Sequence, residues 1–113
     1  MNKYSGGCHC GAVRYEVETD LEKILLCNCS HCSKKALLLS FVNKDKFKLL
    51  SGEDQLTDYR FNKKSIRHLF CKICGTESFA EGVEFPMAAI NVRCLDNIDL
   101  DKVKLTAYNG KDL

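Results

Sequence analysis

Apolar and polar residues alternate at period two through most of the chain. Val13, Tyr15 and Val17 are interleaved with Arg14, Glu16 and Glu18, the pattern of a strand buried on one face. Ala36 to Val42 is a short continuous apolar run, which predicts a strand covered on both sides. Phe47 and Leu49 precede the turn signal Ser51-Gly52. Leu56 to Phe61, the polar Asn62-Lys63-Lys64 and Ser65 to Phe70 read as a hairpin that delivers Cys71 to Cys74 at its end. Thr76 to Ala80, Met87 to Cys94 and Val103 to Tyr108 complete the strands, punctuated by Gly82 and Pro86. Only Asp96 to Lys102 invites a short helical turn, and no stretch carries a helical stripe over three turns. The fold class is all-β.

Composition changes that picture in one respect. A chain of 113 residues fits a single domain, residues 1–113, with no repeat, linker or low-complexity segment. Its hydrophobic fraction of 45% includes eight cysteines. Without them it falls to roughly 38%, a thin supply of apolar surface for a domain of this size. Disulfides or metal must then supplement burial. The formal charge of +2 is too small and too scattered to suggest a nucleic-acid or anionic-membrane surface. No apolar run approaches the roughly 20 residues that span a bilayer, and residues 1–7 lack the apolar core of a signal peptide. The expectation is a cytoplasmic protein, and a reducing compartment favours metal over disulfides.

Seven of the eight cysteines fall into three clusters: Cys8-His9-Cys10, Cys27-Asn28-Cys29-Ser30-His31-Cys32 and Cys71-Lys72-Ile73-Cys74-Gly75. Such close pairs converge readily on one ion, whereas a disulfide needs a particular Cα separation and dihedral. Gly75 permits the tight turn in which amide N–H groups point at thiolates. The seven thiols divide most simply into four and three. Cys8, Cys10, Cys71 and Cys74 would close one zinc site and staple the two halves of the chain. Cys27, Cys29 and Cys32 would hold a second zinc with its fourth position left for water, substrate or a neighbouring side chain. Two zinc ions on seven thiolates would take the formal charge from +2 to −1, so the nominal pI of about 8.1 overstates the basicity.

Competing readings attach to several residues. His31 lies inside the second cluster and would make it a second closed site if it were a ligand. His9, between two cysteines, points away from their shared metal and reads as solvated. Cys94 shares a strand face with Ala88, Ile90 and Val92 and reads as a buried thiol. His68 shares a face with Ile66 and Phe70, and is as readily a packed core residue as a site residue. Lys34-Lys35 and Lys63-Lys64 read as solvated turns or, alternatively, as contacts for an anionic ligand.

Gly7-Cys8-His9-Cys10-Gly11 followed by Val13-Arg14-Tyr15 resembles the opening of the glutathione-dependent formaldehyde-activating enzyme family, which includes centromere protein V-like domains. Cys27 to Lys34 resembles its second cysteine motif and His68 to Thr76 its third, while Asn91 to Asp96 is similar to the segment that follows. The resemblance runs from about residue 5 to the end of the chain. It implies a zinc-stapled β-tent of several small antiparallel sheets. It also implies the same division of ligands: Cys8, Cys10, Cys71 and Cys74 for a structural zinc, and Cys27, Cys29 and Cys32 for a catalytic one.

The activity it implies is the joining of glutathione to formaldehyde, formally a carbon–sulfur lyase reaction read backwards. A thiol entering the open position of a three-cysteine zinc would lose its proton and attack an aldehyde carbon. His31 or His68 would relay the proton. Arg67, Arg93, Lys34 and Lys35 are candidates to meet the two carboxylates of glutathione. The alternative is a non-catalytic zinc module that binds a thiol ligand or a protein partner.

Overall fold

The computed structural model describes residues 2–61 and 64–110. In chain order the elements are β1 (Asn2–Gly7), β2 (Arg14–Thr19), β3 (Ile24–Cys27), a helix α1 (Ser30–Lys35), β4 (Leu38–Asn43), β5 (Phe47–Ser51), β6 (Leu56–Tyr59), β7 (Ile66–Cys71), β8 (Phe79–Gly82), β9 (Met87–Asn91) and β10 (Leu105–Tyr108). The architecture is all-β. One sheet has three strands in the order β1-β2-β5, the other seven in the order β10-β3-β4-β9-β8-β7-β6.

The alternation in β2 buries Tyr15, Val17 and Thr19 and leaves Arg14, Glu16 and Glu18 half-exposed. The hairpin expected around Asn62-Lys63-Lys64 pairs β6 with β7 antiparallel and sets Leu56 opposite Cys71; Asn62 and Lys63 lie outside the described residues. The apolar run at residues 36–42 is covered on both faces along its first half. Leu38 and Val42 enter one core while Leu37 and Leu39 enter another.

Five features depart from the sequence pattern. The last strand pairs parallel with β3, so the larger sheet is mixed rather than antiparallel. β1 is too polar and glycine-rich to announce itself; it is recruited by pairing along the whole of β2. β3 is a four-residue apolar run without alternation. The segment ending at Cys94 leaves the sheet at Asn91, whose side chain accepts from Arg93 N at 3.2 Å and starts a 3-10 turn over Val92–Cys94. Cys94 is therefore half-buried in a turn rather than on a strand face. α1, six residues long, is too short to show a helical stripe. It begins where Cys29 Sγ accepts from Cys32 N and ends at Ala36 in the left-handed region.

The seven-stranded sheet has two different faces. Toward the small sheet, Ile24, Leu38, Val42, Leu69, Phe79, Ala88 and Ile90 pack with Val13, Tyr15 and Val17. Tyr15, Phe47 and Phe79 form a ring cluster with centroids 4.7–5.9 Å apart, favourable for aromatic contact. On the opposite face Leu25, Cys27, Cys32, Leu37, Leu39, Ala80 and Ala89 form a second, smaller cluster. Since residues directly opposite one another on antiparallel strands share a face, the pairings Phe41↔Ala89, Ala89↔Ala80 and Ala80↔His68 lay one row across four strands on this second face.

Tyr15 also donates its hydroxyl to Ser78 O at 3.1 Å, a carbonyl that accepts from Asn91 N as well. Because that second donor remains, Tyr15→Phe should cost only about 1 kcal/mol. Paired urea unfolding of the variant and the wild type checks this.

Candidate functional site

Two turns bring the first cysteine group together. Cys8 N–H donates to Val13 O at 3.0 Å, closing the loop that carries Cys10, and Gly75 N–H donates to Cys71 O at 2.8 Å, closing the loop that carries Cys74. Gly75 sits at φ +81°, the left-handed conformation that the tight turn requires. The Sγ atoms of Cys8, Cys10, Cys71 and Cys74 all lie within 4.8 Å of one another. Cys10 Sγ is 3.6 Å from both Cys8 Sγ and Cys71 Sγ. A disulfide needs about 2.05 Å. A zinc tetrahedron with 2.3 Å bonds has sulfur–sulfur edges of about 3.8 Å. The donor set fits a closed zinc site.

Backbone donors face these sulfurs, Val13 N at 3.3 Å from Cys8 Sγ and Ile73 N at 3.4 Å from Cys71 Sγ. The Thr76 hydroxyl and amide beside Cys74 pull its thiol down to about 5. Cys10 moves the other way: against the Ala12 amide, desolvation and the neighbouring thiols push it up to about 11, so ionising all four sulfurs together would call for a compensating cation.

Cys27, Cys29 and Cys32 also have their Sγ atoms within 4.8 Å of one another. Cys27 ends β3, Cys29 caps α1 and Cys32 lies in its first turn. Cys32 N donates to Cys29 Sγ at 3.3 Å. Burial opposes ionisation of Cys29, but hydrogen bonds from the Cys32 amide and neighbouring thiols outweigh it and lower its pKa. Desolvation raises that of Cys32, the most deeply set of the three. The C-terminal strand completes the surroundings. Asn28 N donates to Tyr108 O at 3.1 Å, and a Cβ on Gly110 would stand 2.4 Å from Cys27 Sγ. A side chain there would press on the thiol unless the sulfur or the strand shifted.

This second group has three sulfurs and an open side. A cavity of about 490 Å³ is lined by all three cysteines together with His68, Glu77, Tyr108, Gly110 and a series of apolar side chains. His31 is not directed to the sulfurs. Its Nε2 lies 3.0 Å from Glu77 Oε1, and its ring packs 4.1 Å from His68 and 5.4 Å from Phe61. Glu77 Oε1 also accepts from Lys35 Nζ at 3.0 Å. Burial opposes the charge on Glu77, but the bonds from His31 and Lys35 and the nearby His68 prevail and hold its pKa at about 2. An ionised carboxylate only accepts, so Nε2 of His31 carries the proton. His68, 7% exposed, has its Nδ1 3.7 Å from Glu77 Oε2, beyond hydrogen-bond reach, and without another partner among the described residues.

The remaining candidates are dispersed. His9 is exposed. Arg67 is held by Asp58 Oδ2 at 3.1 Å and Glu81 Oε1 at 2.6 Å. Arg93 donates through Nε to Ala36 O at 2.9 Å. Lys35 belongs to Glu77, and exposed Lys34 does not line the cavity. Glu77 was not singled out by sequence. The available signal was a lone carboxylate between the Cys71–Gly75 turn and the apolar Phe79-Ala80.

Two predictions follow from this geometry. Gly110→Ala should displace the last strand or Cys27 and lower the number of metal ions that the chain takes up on titration with zinc, as counted by native mass spectrometry. Glu77 is ionised in the fold well below its ordinary value of 4.5. Its contribution is therefore complete above pH 4.5 and lost as pH falls toward about 2. Glu77→Gln should lower stability at pH 7 by about 3 kcal/mol, and by progressively less below pH 4.5, in paired urea titrations of mutant and wild type.

Comparison with known proteins places the chain among relatives of known fold and family. A structure of a Rhodobacter sphaeroides protein from a structural-genomics programme matches with a TM-score of 0.80 and 28% sequence identity, covering 90% of this chain and 99% of that one. The model of the family described as glutathione-dependent formaldehyde-activating enzyme matches residues 3–109. With its cysteine groups assembled as that family's motifs led us to expect, the chain belongs to the glutathione-dependent formaldehyde-activating enzyme family.

Proposed function

We propose that the protein is a zinc-dependent carbon–sulfur lyase that joins a small thiol to an aldehyde, with glutathione and formaldehyde as the reactants the family name supplies. The observation that carries this reading is the contrast between the two cysteine groups. Four sulfurs surround one point in the first, whereas three sulfurs face a cavity in the second. Closed four-ligand sites are structural and three-ligand sites with an open position are catalytic. Cys8, Cys10, Cys71 and Cys74 would thus hold the structural ion, and Cys27, Cys29 and Cys32 the catalytic one.

Zinc bound by the three cysteines supplies the positive charge that favours the thiolate form of an incoming thiol. The chain's own residues do the rest. The thiol sulfur forms a bond to the carbonyl carbon, the carbon–oxygen π bond opens, and the thiol proton ends on the oxygen of the hemithioacetal. We assign that proton to His68, whose ring lines the cavity while its buried Nδ1 faces the Glu77 carboxylate at 3.7 Å. Glu77 and Lys35 hold His31 away from the sulfurs and behind His68.

Cys29→Ser should leave one zinc per chain by native mass spectrometry, keep the β circular-dichroism spectrum, and abolish acceleration of thiol–aldehyde condensation above the uncatalysed rate. Retention of full activity, or unfolding, would count against the reading. His68→Gln should retain two zinc ions and lower kcat by about 10²–10⁴-fold, the span of general acid–base catalysis.

A further inference from the structure

The cavity beside the three cysteines is larger and more apolar than formaldehyde requires. Its floor comes from the row across four strands in which Ala89 and Ala80 stand between Phe41 and His68. Two side chains of one carbon each, flanked by large rings, make a hollow in the sheet face. Leu39, Phe61, Ile66 and Phe85 continue its walls. At about 490 Å³ it lies in the size range of sites for drug-sized ligands. Formaldehyde, with two heavy atoms, is closer to one water, whose share of liquid volume is about 30 Å³.

Exposure and charge point the same way. Phe41, Ile66 and Phe85 are 44%, 37% and 41% exposed while lining the cavity. Large apolar side chains that converge on one hollow mark a binding site rather than ordinary surface. No lysine or arginine lines it among the described residues. Three thiolates around one divalent ion would leave a net negative charge, and the ionised Glu77 adds another that Lys35 balances. Arg67 is already held by two carboxylates. An anionic reactant gains nothing from these walls, whereas an uncharged apolar group gains roughly 25 cal/mol per Å² buried.

We propose that this cavity seats an uncharged aryl or branched-alkyl substituent of one reactant, so that the protein acts on an apolar thiol or an apolar aldehyde. The inference rests on the thiol–aldehyde reading of the site and names the substrate class within it. The reaction balances as before: one C–S bond forms, the carbonyl becomes a hydroxyl, and the thiol proton moves to that oxygen.

The test combines binding with kinetics on the zinc-loaded protein. Benzyl alcohol, which has neither thiol nor aldehyde, should shift the methyl NMR signals of Ala80, Ala89 and Leu39. Ala89→Leu, which fills the floor, and Phe41→Ser, which makes a wall polar, should each weaken that binding at least fivefold with two zinc ions retained. Two variants are used because either alone could disturb the fold.

In the assay, glutathione with benzaldehyde or benzyl mercaptan with formaldehyde should exceed glutathione with formaldehyde at least tenfold in kcat/KM. The preferred pair identifies which reactant carries the apolar group. If benzyl alcohol shifts none of these methyl signals, or glutathione with formaldehyde matches both aryl pairs, the inference is overturned and the thiol–aldehyde reading stands. If no pair is accelerated while benzyl alcohol binds at Ala80 and Ala89, that reading falls and the apolar ligand class remains.

Discussion

The convergence of Cys8, Cys10, Cys71 and Cys74 is the constraint on which the rest of the molecule depends. Cys10 and Cys71 are separated by 61 positions yet their sulfurs lie 3.6 Å apart. The first pair follows β1 of the small sheet, and the second starts at Cys71, the last residue of β7 in the large one. A cation among these sulfurs would tie the sheets together at one end, while the Tyr15, Phe47 and Phe79 rings join them through the core. Closing a loop of that length costs entropy once, and metal binding energy is folding energy in a domain with so little apolar surface. Backbone N–H groups aimed at the sulfurs fit thiolate charge better than neutral thiols.

With that end fixed, the large sheet serves two purposes through its two faces. Period-two alternation sends Leu69, Phe79, Ala88 and Ile90 into the main core. It sends His68, Ala80, Ala89 and Phe41 to the side of the three cysteines. A slip of one residue in β8 would exchange Phe79 for Ala80, opening a void in the core and blocking the hollow together. Register here is thus a condition for stability and for the shape of the site at once.

How much of this was legible in the sequence depended on how local the cause was. Val13, Tyr15 and Val17 announce β2, and the spacing of Cys27, Cys29 and Cys32 announces a group that can share an ion, because neighbours in sequence decide both. The parallel pairing of β10 with β3 was not legible, since it is set by Asn28 reaching Tyr108 O and by Gly110 passing Cys27. α1 escaped because six residues cannot display a helical period, and its cap is a thiol rather than a hydroxyl or carboxamide. Glu77 was hidden for a related reason. Its partners His31, Lys35 and His68 lie 46, 42 and 9 positions away, and nothing within Gly75-Thr76-Glu77-Ser78 indicates them.

Glu77 also explains why His31, set within the second cysteine cluster, does not join its three sulfurs. His31 stands one residue before Cys32, close enough in sequence to complete the set. The buried carboxylate binds its Nε2–H at 3.0 Å instead, and the rings of Tyr59, Phe61 and His68 pack around it. To turn toward the sulfurs the imidazole would have to leave that stack and abandon a charge-assisted hydrogen bond, uncovering a carboxylate whose side chain is only 2% exposed. Lys35, one helical turn beyond His31, donates to the same carboxylate oxygen at 3.0 Å. The open side of the three-cysteine group is therefore held open by an interaction outside it. Whether His31 closes the three-cysteine group is thus decided by the residues behind the histidine rather than by the cysteine motif itself.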